Sequence, residues 1–474
     1  MTAGKSLIIV LMVTCLLLAA GCTRSLQEGP GQGLTAVQTA SSPEAATPQT
    51  MITPDDLTAR VQEAVAYARE NGRDRAVAAF SDPAGGFAMN GIYIFAKDYN
   101  GTALAEPFEP QLVGTDVRNT TDRYGVPVIL KFEETARYGI GYVSYDYPDQ
   151  KTMVAMPRLS VVADVDGSWY IGADTKTELR MVYPSSVLGP ASRTYTVTDL
   201  TTFVKDAVAY ARENGKDKAL AVFQEKNGRF ADGELTIIAV DYNGTMTASS
   251  LSPKIADNRI NLINYHDPDG VTTIREMRDL ARQGGGFSYT VAAVTREGKT
   301  YYAPKIDYAE PVDDTYWVFS GIIVPGYEIL REGNLTGMVV RHHTREELYG
   351  LVNRAVAFAK ANGKEKTLAM INDPGSPFVE DDLFVWAEDF NGTVLADPYW
   401  KEGIGRNYID ETDLYGAKIT RVSINAIRSG TGCTHVMFPD TSGNSTVPVP
   451  KLVYMQPVDE TWWIGSGVYG VQAT

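Results

Sequence analysis

The chain has 474 residues, a formal net charge of −15 and 44% hydrophobic residues, with 26 Tyr and 15 Phe. That length exceeds a single hydrophobic core and fits about three domains. The apolar and aromatic content excludes a disordered chain, and the acidic surface excludes nucleic acid as a main partner, because it would repel phosphates.

Lys5 precedes an apolar run from Leu7 to Ala20, too short for a membrane span and suited to a signal-peptide core. The run ends in Leu18-Ala19-Ala20-Gly21-Cys22, which reads as a lipobox with Cys22 as the lipidated residue, so 1–22 is assigned as a lipoprotein signal. An uncleaved anchor is the alternative. Both readings place the rest of the chain outside the cytoplasm, anchored to the outer face of the cell membrane. Residues 23–52, rich in Gly, Ser, Thr, Pro and Ala, read as a flexible tether. With Cys15 and Cys22 in this leader, Cys433 stands alone, so no disulfide is expected and Cys433 is expected to be buried.

The string AVAYARENG occurs at 64–72 and 207–215 and returns as AVAFAKANG at 355–363. The Asn before the final Gly of each string precedes the Asp of a second signature by 27 positions: Asn71 to Asp98, Asn214 to Asp241 and Asn362 to Asp389. Constant spacing of this kind marks three tandem copies of one domain, assigned to 53–180, 194–330 and 342–474.

Each copy opens on Thr-x-x-acid, a helix-capping pattern, at Thr53/Asp56, Thr196/Asp199 and Thr344/Glu347. Leu57, Val61, Ala64, Val65 and Ala68 then fall on one helical face, and Asn-Gly ends the helix. A short helix follows. Strands from Ile92, Leu235 and Leu383 run into Asp-aromatic-Asn-Gly-Thr, a hairpin signal. The Asn-x-Thr sequons at Asn100, Asn243 and Asn391 belong to this turn, which turn chemistry explains at least as well as glycosylation. Next come Asp-x-x-Gly, a helix ending in Arg-x-Gly-x-Gly, a strand with a basic residue, and a strand with an aromatic pair (Trp169-Tyr170, Tyr316-Trp317, Trp462-Trp463). The order predicts an α+β domain, helices against one antiparallel sheet.

With Asn372-Asp373-Pro374-Gly375, Phe390-Asn391-Gly392-Thr393, Lys451 and the run Pro457 to Gly467 in order, the third copy most closely resembles the single Cache domain, and the other two resemble it across nearly their whole length. The resemblance implies three PAS-like Cache domains, each an antiparallel sheet with a long N-terminal helix, acting as extracytoplasmic small-molecule sensors. The first copy departs from the family at Arg158 and at Ile171-Gly172-Ala173-Asp174, where the third has Ile464-Gly465-Ser466-Gly467. No apolar span follows the leader, so the chain is expected to lack a signalling output domain of its own.

A pocket for an anionic or zwitterionic ligand needs cations beside aromatic walls. The candidate ligand-binding cations are Arg137, Arg282 and Arg428 at the helix ends and Arg158, Lys305 and Lys451 on the strands; Tyr93, Phe384 and Trp386 are candidate walls. The competing reading pairs each arginine with the Asp fifteen positions earlier and puts the aromatic pairs in the core. No nucleophile elbow, phosphate loop or metal-ligand pattern appears, so neither catalysis, a metal nor a cofactor is expected. The expected function is therefore a membrane-anchored binding or sensing protein for an amino acid or carboxylate, acting with a receptor or transporter in trans. The rival is a cell-surface structural or interaction protein with degenerate pockets.

Overall fold

The computed structural model describes residues 52–148, 155–175, 195–233, 235–267, 269–296, 299–324, 343–439 and 448–470. The leader with Cys22 and nearly all of the tether lie outside these residues.

Each repeat begins with an 18-residue helix, Pro54–Asn71, Val197–Asn214 or Arg345–Asn362. Thr53, Thr196 and Thr344 accept from the third helical N–H, and the acid there accepts back from the threonine N–H, a complete capping box in all three. Gly72, Gly215 and Gly363 stop the helices at φ of 80°, 82° and 83°. The repeated Ala-Arg-Glu-Asn string has a local purpose. Asn71 and Asn214 donate to the carbonyls of Tyr67 and Tyr210, while Arg69 and Arg212 donate through Nε to Val165 O and Val312 O at 2.9 Å. The helix end is thus tied to the turn joining the last two strands.

Those helices lie on antiparallel sheets. The first repeat supplies Ile140–Pro148, Ala155–Asp164, Trp169–Thr175, Ile92–Asp98 and Ala103–Ala105, in that spatial order. The second and third repeats share one 11-stranded sheet, joined where Tyr289 of Gly286–Arg296 pairs with His435 of Cys433–Pro439. A short strand of the second repeat, Asn261–Asn264, pairs in parallel with Ile140–Pro148 of the first. Gly141 makes that approach possible, since a Cβ there would sit 2.6 Å from Asn261 O. This glycine of the Arg-x-Gly-x-Gly segment therefore admits a neighbouring repeat, not a ligand.

Buried polar contacts fasten the repeats further. Arg345, at the start of the third long helix, pairs with Asp146 of the first repeat at 3.1 Å and stacks 4.2 Å over Tyr124. His435 Nε2 lies 3.0 Å from Asp267 of the second repeat. Cys433 is 2% exposed, and burial pushes its thiol up to about 12. Among the described residues no helix is long and apolar enough to cross a membrane.

Candidate ligand site

Period-two alternation places Phe384, Trp386 and Glu388 of Leu383–Asp389 on the sheet face away from the long helix. There they line a cavity of about 570 Å³, within the usual range for small-molecule sites. The same alternation separates the aromatic pair of the last strand. Trp462 packs in the core under the helix, its Nε1 donating to Asp459 at 3.0 Å, whereas Trp463 lines the cavity. The loop Asp397–Trp400 closes one side, and the exposed Leu414 sits at the rim.

Lys451, on Pro448–Pro457, reaches into this cavity and is only 4% exposed. Its Nζ donates to Tyr469 Oη at 3.1 Å and lies 4.5–5.7 Å from the ring centres of Tyr469, Phe384, Trp386 and Phe438. Among the described residues no carboxylate oxygen comes within 4.0 Å of it. Aromatic faces attract a cation but do not replace a counter-ion in a desolvated site.

Beside the hydroxyls of Tyr408, Thr412, Thr420 and Ser423, the cavity is lined by carboxyls, of which Glu388 and Asp397 are buried. Glu388 Oε1 accepts from Trp386 Nε1 at 3.1 Å, while Glu388 Oε2 is buried without a hydrogen-bond partner. Burial pushes this carboxyl up to about 8, and the charges of Asp389 and Asp397 push the same way. Asp397 accepts from the N–H groups of Tyr399 and Trp400 at 2.8 and 2.7 Å, yet burial still holds its carboxyl above the usual range. Trp463 Nε1 is a second buried, unpartnered atom in a residue that lines the cavity.

The equivalent cations of the other repeats are already neutralised. Lys305 pairs with Asp307 at 2.7 Å, and Thr290 donates to the other oxygen of that carboxylate. Arg158 pairs with Asp174 at 3.7 Å, and Tyr145 donates to the same carboxylate. The third repeat has Val453 and Gly467 opposite one another, where the second has Asp307 and Gly321. The first repeat has Ser160 and Asp174 in those places. A carboxylate thus enters from one strand in the second repeat, from the next strand in the first, and from neither in the third.

Of the predicted site residues, Phe384, Trp386 and Lys451 converge on the cavity. Tyr93 and Arg158 meet around Asp174 in the first repeat, where burial and that carboxylate raise the Tyr93 phenol. Lys305 occupies the matching place in the second. Arg137, Arg282 and Arg428 go elsewhere, stacking on Tyr99, Tyr242 and Phe390 of the hairpin turns at 4.0, 5.6 and 5.7 Å. The alternative ion pairs with Asp122, Asp267 and Asp413 do not form among the described residues. Each of these carboxylates instead accepts two N–H groups of its own loop, and Asp413 also accepts from Tyr289 Oη of the second repeat at 2.5 Å. Sequence reasoning missed Glu388, Asp397 and Trp463. For Glu388 a signal was present, since it follows Phe384 and Trp386 in the same alternation.

A family model described as Single Cache domain 2 matches residues 35–178, 204–324 and 347–471. Among solved structures, a methyl-accepting chemotaxis protein from Vibrio parahaemolyticus is 19% identical, with 25% of this chain and 84% of that one covered and a TM-score of 0.22. A Cache chemosensory domain described for carboxylic acid recognition is 19% identical, covering 27% and 100%, with a TM-score of 0.22. The ligand-binding domain of the Pseudomonas fluorescens chemoreceptor CtaA with L-serine is 12% identical, covering 56% and 86%, with a TM-score of 0.16. No curated protein matches the chain.

Proposed function

The chain belongs to the Single Cache domain 2 family, and from that premise we propose that it is an extracytoplasmic binding protein whose third repeat captures a small carboxylate-bearing ligand. The observation that carries this reading is Lys451, a buried ammonium inside a cavity with no carboxylate within ion-pairing distance among the described residues. A ligand carboxylate supplies the missing charge, and Trp463 Nε1 offers a second donor to the bound molecule. The aromatic walls bury its apolar part, and no covalent step is involved. The first and second repeats carry their own carboxylates at this position, which supports the degenerate-pocket reading for those two copies alone. They act as a rigid stalk, presenting the third repeat to a membrane receptor or transporter in trans, with Cys22 as the lipid anchor.

Thermal denaturation of the full chain against small carboxylates tests the binding reading. A saturating carboxylate raises the melting temperature by mass action, and Lys451→Met removes that rise. Absence of any rise, or its survival in Lys451→Met, overturns the proposal. For the anchor, Cys22→Ser is expected to move the chain from the membrane to the soluble fraction; unchanged fractionation rules it out.

A further inference from the structure

The acidic end of the cavity has a counterpart in the first repeat. Glu388 occupies the strand position of Lys97: each is the penultimate residue of its strand, facing Trp463 or Tyr170 on one side and Val394 or Ala103 on the other. Asp397 likewise stands where the first repeat has Glu106, directly after the second hairpin strand. In the first repeat Lys97 and Glu106 form a buried ion pair. In the third the carboxylate side remains and a second carboxyl has replaced the lysine; Asp397 feels the charges of Lys451 and Lys401, but no ammonium comes within ion-pairing distance of its carboxylate among the described residues. The second repeat has Val240 and Ser249 there, with neither charge.

We infer that Glu388 and Asp397 form an ammonium subsite, so that the ligand is a zwitterion with its amine on this acid pair and its carboxylate at Lys451. The inference rests on the carboxylate-binding reading and specifies the opposite end of the same molecule. Two features of the first repeat then reproduce the ligand from within the chain, since Asp174 stands for its carboxylate and Lys97 for its ammonium. Glu388 Oε2, buried and without a partner, receives a hydrogen bond from the ammonium, and Asp397 supplies the second acceptor. Trp386 joins the two ends, its ring against Lys451 and its Nε1 bonded to Glu388. The charges acting on Glu388 are those of Asp397 and the neighbouring Asp389, while Asp397 in turn feels Lys451 and Lys401, neither within ion-pairing distance of its carboxylate among the described residues. With its carboxyl raised to about 8 in the empty cavity, Glu388 holds a proton at neutral pH and releases it when an ammonium arrives.

Isothermal calorimetry of the full chain with two matched series tests this: L-phenylalanine, 3-phenylpropionate and phenethylamine, then L-alanine, propionate and ethylamine. The expected result is that one amino acid binds at least about tenfold more tightly than its des-amino acid. Titration in buffers of different ionisation enthalpy is expected to show proton release, and Glu388→Gln to remove both the preference and the release. Equal binding of acid and amino acid, lost in Lys451→Met, overturns the ammonium subsite and leaves the carboxylate reading standing. Binding of amines alone, or of nothing in either series, overturns both. Glu388→Lys guards against a merely unstable Gln variant. It is expected to pair with Asp397 as Lys97 does with Glu106, to melt higher than the parent and to bind no amino acid; amino-acid binding at the parent's affinity overturns the inference.

Discussion

Gly467 leaves room for Lys451: a Cβ at Gly467 would lie 2.5 Å from Lys451 Cε and 2.9 Å from Val453 Cγ1. At the same point of the first repeat stands Asp174, ion-paired with Arg158. In the third repeat Gly467 and the facing Val453 together leave the strand cation without a carboxylate of its own chain, where the second repeat has Asp307 opposite Gly321.

Gly467→Asp together with Val453→Ser should convert the third repeat to the first repeat's arrangement, in which Ser160 faces Asp174. The Lys451 side chain is flexible at Cε and can swing to meet the new carboxylate, Val453→Ser removes the 2.9 Å contact, and the Leu452 carbonyl at 3.0 Å needs a shift of a few tenths of an ångström. The ligand-dependent rise in melting temperature is expected to vanish while the ligand-free protein melts within a few degrees of the parent. Retention of the rise would show that Lys451 is not the anchor.

The second repeat allows the reverse experiment. Asp307 is 1% exposed and holds both Lys305 and the Thr290 hydroxyl, so Asp307→Val strands a lysine and a hydroxyl together. The expected loss is about 1–3 kcal/mol, below the full cost of an uncompensated buried charge because Lys305 retains 22% exposure. Adding Lys305→Met to the same chain is expected to restore most of that loss in chemical denaturation. A double variant as unstable as the single one would mean that Asp307 stabilises through something other than this pair.

What the sequence disclosed and what it hid divide along a physical line. Local hydrogen bonding was legible: Thr53 and Asp56 as a capping box, Gly72 as a helix stop, and Asp98-Tyr99-Asn100-Gly101 as a turn in which Asp98 accepts from Asn100 and Thr102. The need for aromatic walls beside a strand cation likewise pointed to Phe384 and Trp386. Charge partnership was not legible, because Asp174 meets Arg158 only through the pairing of two strands. Nor does a one-dimensional pattern show that Arg428 turns onto Phe390 while Asp413 turns into its own loop. The parallel addition of Asn261–Asn264 to the first repeat's sheet depends on how the repeats pack, which no spacing within a repeat encodes.

Arg428→Ala should therefore separate structure from binding. The guanidinium stacks on Phe390 and does not line the cavity, so its loss costs about 0.5–1 kcal/mol of stability. Ligand affinity is expected to stay within about twofold of the parent, a difference under 0.5 kcal/mol. A tenfold loss of affinity with unchanged stability would return this arginine to the site.

Glu388 governs the last expectation, the response of the ligand-free protein to pH. Its carboxyl lies near 8 in the folded chain, raised by burial from 4.5. Between those values the folded state holds a proton that the unfolded state has released, so stability falls as pH rises through the window. The slope from this one group is about 1.4 kcal/mol per pH unit, fully developed only well inside those limits. Glu276, raised to about 7 by burial, adds a similar slope at lower pH, so the parent alone does not isolate Glu388. The difference between Glu388→Gln and the parent does. The variant is expected to gain stability relative to the parent from pH 5 to 8 and then to run parallel to it. Parallel curves across the whole range would mean that Glu388 is ionised in the empty cavity, with Lys451 already serving as its counter-ion.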